Sequence, residues 1–165
     1  MTRIGIISDT HSFLDENVFR HFASCDEVWH AGDFGDMEVI EKLQAFRPLK
    51  GVYGNIDAAP IRQLFPEQLV FECEQVKVMI RHIGGYPPKY NPETKKEIAL
   101  HQPQLIISGH SHILKVMYDA PRSCLYINPG AAGRQGWHRT RTLIRLVIDG
   151  KEMKDCEVVE LGTRN

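Results

Sequence analysis

Five short polar clusters could do chemistry: Asp9-Thr10-His11, Gly32-Asp33, Gly54-Asn55, the single His82 and Gly109-His110-Ser111-His112. Together they offer carboxylate, imidazole and amide ligands, the mixed set that a pair of divalent transition-metal ions takes. Asp9 and His11 are two residues apart, as are His110 and His112. In an extended segment such residues point to the same face and can grasp one ion. Gly-Asp and Gly-Asn are each ordinary turn dipeptides. Position gives them weight: each follows an apolar run, and each carries a glycine that lets backbone approach a ligand closely.

Those runs are the elements that must place the clusters. Arg3–Ser8, Glu27–Ala31, Leu49–Tyr53, Val76–Arg81 and Gln104–Ser108 read as strands, each ending at one cluster. Side chains at the ends of neighbouring strands of an open sheet converge on one crevice. Between the first three runs, Asp15–Ala23 and Asp36–Phe46 carry apolar residues at helical spacing, with Asp15 and Asp36 as N-caps. That alternation predicts a parallel sheet with right-handed crossovers. The second part differs. Leu69–Cys73 and Val76–Ile83 predict an antiparallel hairpin, Glu93–Leu100 a helix, and Ile113–Tyr118 with Cys124–Ile127 a pair about the turn at Ala120-Pro121-Arg122. Thr142–Ile148 and Met153–Leu161 flank Asp149-Gly150, a two-residue hairpin signal. The expected fold is α/β, with two mixed β-sheets packed face to face and helices on the outer faces, a four-layer αββα sandwich formed by one domain over residues 1–165. The longest irregular stretch, Gly130–Arg139, is expected to be mobile.

Composition narrows the function classes. The 165 residues carry a formal net charge of −1, so charge alone makes no case for nucleic acid or an anionic membrane as partner. No apolar run approaches the roughly 20 residues that span a bilayer, and Met1–Gly5 lacks the apolar region of a secretory signal. Cys25, Cys73, Cys124 and Cys156 form no C-x-x-C pair and sit beside none of the clusters, as expected of reduced thiols in a cytoplasmic protein.

In order and approximate spacing, the series D-x-H, G-D, G-N, H and G-H-x-H resembles the motifs of the calcineurin-like metallophosphoesterases over nearly the whole chain. The absence of inserted lids and the Asn128-Pro129-Gly130 turn resemble that superfamily's compact single-domain phosphodiesterase branch. The resemblance implies two metal sites. Asp9, His11, Asp33 and His112 would hold one ion, and Asp33, Asn55, His82 and His110 the other, with Asp33 bridging. Asp33, Asn55 and His82 would be the catalytic set. The implied cofactors are two divalent transition-metal ions, Mn²⁺ first, with Ni²⁺, Fe, Co²⁺ and Zn²⁺ as alternatives. The implied reaction is hydrolysis of phosphodiesters or small phosphate monoesters by direct attack of a metal-bridging hydroxide, with no covalent phosphoenzyme, since Ser8, Ser108 and Ser111 lack a dedicated base.

Two positions depart from the family pattern. A histidine credited with protonating the leaving group often follows the G-N asparagine; here the residue is Ile56, then Asp57. A glycine often follows the lone histidine; here the sequence is His82-Ile83-Gly84-Gly85. Outside the motifs, His30 is expected to support a ligand or pack in its strand, and Asp57 to orient a ligand or cap a turn. Arg134, His138, Arg139 and Arg141 form either a solvated basic loop or a substrate-phosphate contact. The rival to an enzyme is a protein-interaction scaffold on the same fold, with a metal-binding but weakly catalytic site, as in the phosphoesterase-like subunit of the retromer sorting complex. A nuclease is disfavoured by size and charge. The oligomeric state stays open, and exposed strands are compatible with a homodimer.

Overall fold

A computed structural model describes Met1–Asn165. Its strands are β1 (Thr2–Ile7), β2 (Glu27–His30), β3 (Leu49–Gly51), β4 (Gln68–Cys73), β5 (Val76–Arg81), β6 (Gly85–Tyr86), β7 (Lys89–Tyr90), β8 (Leu105–Ile107), β9 (Lys115–Asp119), β10 (Cys124–Asn128), β11 (Thr140–Asp149) and β12 (Glu152–Thr163). The α-helices are α1 (Asn17–His21), α2 (Met37–Phe46), α3 (Ala59–Leu64) and α4 (Pro92–His101), and a 3-10 turn spans Ala120–Arg122.

Two mixed five-stranded sheets form, in the orders β12-β11-β1-β2-β3 and β4-β5-β8-β10-β9, beside a small β6-β7 ribbon. Strands β1, β2 and β3 run parallel, and β11 closes antiparallel on β1. In the second sheet β5, β8 and β10 are parallel, while β4 and β9 pair antiparallel at its edges. The parallel strands end at one rim, where the polar clusters begin.

Alternation within the apolar runs sorts the side chains into layers. Ile4, Ile6, Trp29, Val78, Ile80, Leu105, Ile107, Ile144 and Leu146 belong to a 15-residue cluster drawn from both sheets. Ile7 and Val28 point the other way and join Val18 and Phe22 of the α1 region and Val39, Ile40 and Leu43 of α2. On the far side Met79, Ile106 and Tyr126 meet Ile98 of α4. Helix, sheet, sheet, helix is the sandwich expected from the pattern.

Local signals explain the helix ends. Asp36 accepts a hydrogen bond from Val39 N at 3.2 Å and caps α2, which stops before Pro48, whose ring disfavours helical backbone at the residue preceding it. Asn91 accepts from Thr94 N at 2.8 Å, and Pro92 opens α4 where its missing N–H costs nothing. Helix α1 is shorter than expected: Asp15 stays outside it and accepts from Asn17 N instead. The final hairpin turns on Gly150-Lys151, one residue beyond the expected Asp149-Gly150, because Asp149 still pairs with Glu152. Strand β9 begins at Lys115 rather than Ile113. Helix α3 has no counterpart in the sequence reading.

The Gly130–Arg139 loop is anchored at its start. Ala131, Ala132 and Gly133 are buried, and Ala132 N and Gly133 N donate to Ser8 O and Asp9 O at 2.9 and 3.0 Å. No helix is long and apolar enough to cross a membrane.

Candidate metal centre

The loops that follow β1, β2, β3, β5 and β8 bring all the expected ligand residues together. Asp9, His11 and His112 form one group of donor atoms, and Asp33, His82 and His110 another, with the atoms of each group within 4.8 Å of one another. Asp33 links the two: its Oδ2 lies 3.3 Å from His11 Nε2 and 3.2 Å from His82 Nε2. Asn55 Oδ1 lies 3.1 Å from His82 Nε2 and 3.0 Å from His110 Nδ1.

The paired residues reach this site by a different route from the extended one expected. Asp9, His11, Asp33, His110 and His112 have φ of 53°, 45°, 60°, 70° and 62°. Left-handed backbone costs a non-glycine residue roughly 1–2 kcal/mol, so long-range hydrogen bonds must over-determine these turns. Asp9 N donates to Gly32 O, His11 N to Asp33 O and Gly109 N to His82 O, at 3.0, 3.0 and 3.1 Å. Gly54 is needed for close approach: a Cβ there would overlap Oδ1 and N of Asp33. Gly32, at φ 105°, lies under the His82 ring, 2.7 Å from Nδ1 for a would-be Cβ.

Asp9, His82 and the His110–His112 loop are oriented from behind. Asp9 Oδ2 accepts from the Ser8 hydroxyl at 2.6 Å and His110 N at 3.1 Å, which turns Oδ1 toward His112 and His11 at 3.2 and 3.7 Å. His82 Nδ1 donates to Ala31 O at 2.7 Å, so when the ring is neutral its lone pair is on Nε2, facing Asp33 and Asn55. That contact secures His82 although the family's following glycine is missing. Asn128, which the sequence reading noted only as part of a turn, donates to Gly109 O and Ser111 Oγ at 3.0 and 3.1 Å and holds the His110–His112 loop.

Among the candidate ligands, two buried atoms are left without hydrogen-bond partners, Asp9 Oδ1 and His11 Nε2. An orphaned carboxylate oxygen facing an orphaned imidazole nitrogen is costly in a protein interior. A shared cation satisfies both, so the residues present fit the metal set read from the sequence.

The charges agree with that fit. Burial works against ionisation of Asp9, but the His11 and His112 rings, the His82 charge and the Ser8 hydroxyl more than reverse it, holding the carboxyl below the ordinary range. Asp33 is likewise lowered against its burial, by His11, His82 and Ile56 N. Burial would lower His11, yet Asp33 and Asp9 raise it to about 9. Burial lowers His110.

The supporting candidates take distinct places. His30 is fully buried and stacks on Phe34 with ring centroids 3.8 Å apart. Its Nδ1 accepts from Gly32 N at 3.0 Å, and its Nε2 lies 3.1 Å from Thr10 Oγ1, whose hydroxyl donates to Phe34 O at 2.9 Å. Burial holds its pKa down to about 3, so a neutral ring ties the loops after β1 and β2. Asp57, buried in the same region, accepts from Asp33 N, Phe34 N and Gly54 N through Oδ2, at 3.0, 3.3 and 2.8 Å, and from Gly35 N through Oδ1 at 3.0 Å. It therefore clamps the loops after β2 and β3. Asp57→Ala would strand these backbone donors at about 1–3 kcal/mol for each one that stays unsatisfied. We expect a loss of roughly 3 kcal/mol or more, read as a lowered urea midpoint of the metal-free protein.

The basic loop divides. The His138 ring packs edge-on to His112 with centroids 5.1 Å apart, and Nε2 donates to Gly133 O at 2.8 Å; burial lowers its pKa. The Arg134 guanidinium lies 4.0 Å from the Phe13 ring centroid. Arg141 does not belong to an open basic stretch: it is buried and pairs with Asp15 Oδ2 at 2.9 Å.

The sign of the pH dependence follows. His30 has a folded value far below the ordinary 6.5, so its contribution is complete above pH 6.5 and is lost as the unfolded chain takes up a proton at lower pH. Asp9 and Asp33, also depressed, add their losses as pH falls through the carboxylate range. His11 acts oppositely, its contribution being complete below pH 6.5 and lost as pH rises through about 9. Metal-free protein should thus be most stable near pH 6.5 and lose about 3 kcal/mol by pH 4 from His30 alone. Urea titrations at pH 4, 6.5 and 9 check this, and His30→Gln should flatten the acid limb.

Known proteins resemble this chain in sequence and in fold. Residues 2–151 match the family model of the calcineurin-like phosphoesterase superfamily domain. A probable metallophosphoesterase of Methanothermobacter thermautotrophicus is 28% identical over 167 residues, 96% of this chain and 92% of that one. Another from Methanocaldococcus jannaschii is 30% identical over 78% of this chain and 67% of its own. Among solved structures, wild-type Vps29 of Entamoeba histolytica complexed with Zn²⁺ superposes with a TM-score of 0.74 at 18% identity, covering 99% of both chains.

Proposed function

The chain belongs to the calcineurin-like phosphoesterase superfamily, and from that premise we propose that it is a binuclear metal-dependent phosphodiesterase that also accepts small phosphate monoesters. The observation that carries this reading is the single carboxylate Asp33, set within 3.3 Å of His11 and 3.2 Å of His82 between two adjoining donor groups. Asp9, His11, Asp33 and His112 would hold one ion, and Asp33, Asn55, His82 and His110 the other. Imidazole, carboxylate and amide oxygen suit Mn²⁺ first, with Ni²⁺, Fe, Co²⁺ and Zn²⁺ as alternatives. When bound, such a pair lowers the pKa of a water and neutralises charge on the phosphoryl oxygens.

The protein's own contribution is placement. Asp33 would supply negative charge to both ions, Asn55 a neutral oxygen, and His82 a lone pair oriented by its bond to Ala31. No side chain is set up as a nucleophile: the Ser8 hydroxyl is committed to Asp9 at 2.6 Å, and Ser108 Oγ is buried without a partner. Water is therefore the attacking group. Ile56, whose side chain is exposed, cannot protonate what leaves.

The substrate is a small phosphodiester or phosphate ester. The net charge of −1 argues against nucleic acid, and the free cysteines suit a cytoplasmic setting. The test is hydrolysis of bis(p-nitrophenyl) phosphate by metal-depleted protein resupplied with each ion in turn. We expect activity to return with Mn²⁺; inactivity with every ion sinks the proposal. A scaffold is the second reading, favoured by the Vps29-like fold and by exposed Ile83 and Ile113 beside ligand residues. It predicts metal binding with negligible turnover.

A further inference from the structure

A cavity of about 200 Å³ opens on the Asn55–His82 side of the centre, lined by Tyr53, Asn55, Arg62, Glu67, Arg81 and His82 among others. Complete small-molecule sites occupy roughly 300–1,000 Å³, so this space suits one arm of a substrate. Its two guanidinium groups differ in a way that matters. Arg81 has a side chain only 8% exposed, and Nη2 pairs with Glu93 at 2.8 Å and Glu67 at 3.6 Å. Nη1 donates to Gln68 at 3.0 Å, while its buried Nε has no partner. The Arg81 charge is thus compensated, but one N–H remains unused in the wall.

Arg62 is not compensated. Its Nε donates to Asp57 O at 2.7 Å, Nη2 donates to Asn55 O at 3.3 Å, and its guanidinium lies 4.6 Å from the Tyr53 ring centroid. Both oxygen partners are neutral carbonyls, neither bond uses Nη1, and no carboxylate pairs with the side chain. A full positive charge is therefore held by two hydrogen bonds in the lining of a cavity shared with two candidate metal ligands. Holding a guanidinium in place before binding lowers the entropy cost of engaging an anion, and its planar fork matches carboxylate and phosphoryl oxygens.

We propose that this cavity is a subsite for an anionic group on one arm of the substrate, with Arg62 as its specificity-determining residue. The inference rests on the function proposed above and narrows the substrate class to phosphoesters that carry a second negative group a few bonds from the reacting phosphorus. Such a group meets Arg62 Nη1 while the reacting phosphoryl occupies the metal centre. Neutral-armed esters miss this contact.

Non-hydrolysable phosphonates test it without relying on turnover. Phosphonoacetate, 3-phosphonopropionate and 4-phosphonobutyrate, each set against the alkylphosphonate of matching length, are titrated calorimetrically into Mn²⁺-loaded protein. We expect at least one carboxylate member to bind 10- to 100-fold more tightly than its alkyl match, the scale of one charge-assisted hydrogen bond. Arg62→Ala should bring that ratio to near 1, and Arg62→Lys should keep part of it; thermal melts and metal content establish that both variants are folded and loaded. No preference in the wild-type protein overturns the proposal, as does a preference that survives Arg62→Ala. Equal loss of both ligand types also overturns it, since Arg62 would then act by positioning Asn55 through the backbone contact. A preference found in a protein that hydrolyses no ester leaves the subsite standing and overturns only the catalytic reading.

Discussion

Asp33→Asn should lower the Mn²⁺-supported kcat/KM for bis(p-nitrophenyl) phosphate by about 10³-fold or more and reduce the bound metal from two ions to one at most. The substitution is nearly isosteric. Oδ1 of the new side chain can still accept from Ile56 N, as Asp33 does at 3.1 Å, so the turn survives. What disappears is the negative charge between His11 and His82. Charge stabilisation by a metal pair is worth several kcal/mol of transition-state energy, and each 1.36 kcal/mol is tenfold in rate. A second readout separates this from misfolding. Asp33 is a leading cause of the raised His11 pKa of about 9, so in metal-free Asp33→Asn the His11 ring should titrate at lower pH by NMR. An unchanged His11 titration, or a variant that keeps both ions and full activity, would exclude Asp33 as the shared ligand.

The same substitution shows which parts of the site could be read from the chain. Asp9, His11, Asp33, Asn55, His110 and His112 were legible because each closes an apolar run, and parallel strands bring such ends to one rim. Alternation also gave the layers: Ile4 and Ile6 enter the space between the sheets while Ile7 faces the helices. The turn conformations were not legible. Extended backbone was expected at Asp9 and His11, but bonds such as Asp9 N to Gly32 O at 3.0 Å impose left-handed φ from outside the local sequence. Asp57 was ambiguous for a related reason: its partners Asp33, Phe34 and Gly35 are more than 20 residues away. Helix α3, and Arg62 on it, leave little signal in the sequence because the helix is 6 residues long and buries only Ile61. Arg141 looks like part of a basic loop in the sequence because its partner Asp15 is 126 residues distant, a pairing that only the tertiary fold creates.

Ile56 leads to the other large effect, a gain. Its backbone N is held by Asp33 Oδ1 while its side chain is 45% exposed, so a substitution changes what faces the substrate without removing a core contact. Wild-type rates should fall steeply as the leaving group becomes more basic, because the oxygen must depart without a proton from this position. Ile56→His would place an imidazole of ordinary pKa near 6.5 there, and general acid assistance contributes typically 10²–10⁴-fold. For p-nitrophenolate, which needs little help, we expect less than a few-fold change. For alkyl leaving groups we expect roughly 10²-fold acceleration. An acid must be protonated to act, so the added rate should be present at pH 6 and fall as pH rises through the imidazole pKa. A series of aryl and alkyl diesters gives the leaving-group slope for both proteins, and the variant's should be the shallower. A wild-type slope that is already shallow would mean that another group donates the proton. His138 is the residue to substitute next in that case, because its ring packs against His112 with centroids 5.1 Å apart. Its Nε2 would have to leave Gly133 O to serve, so a His138→Asn variant that steepens the slope would assign the donor to the loop.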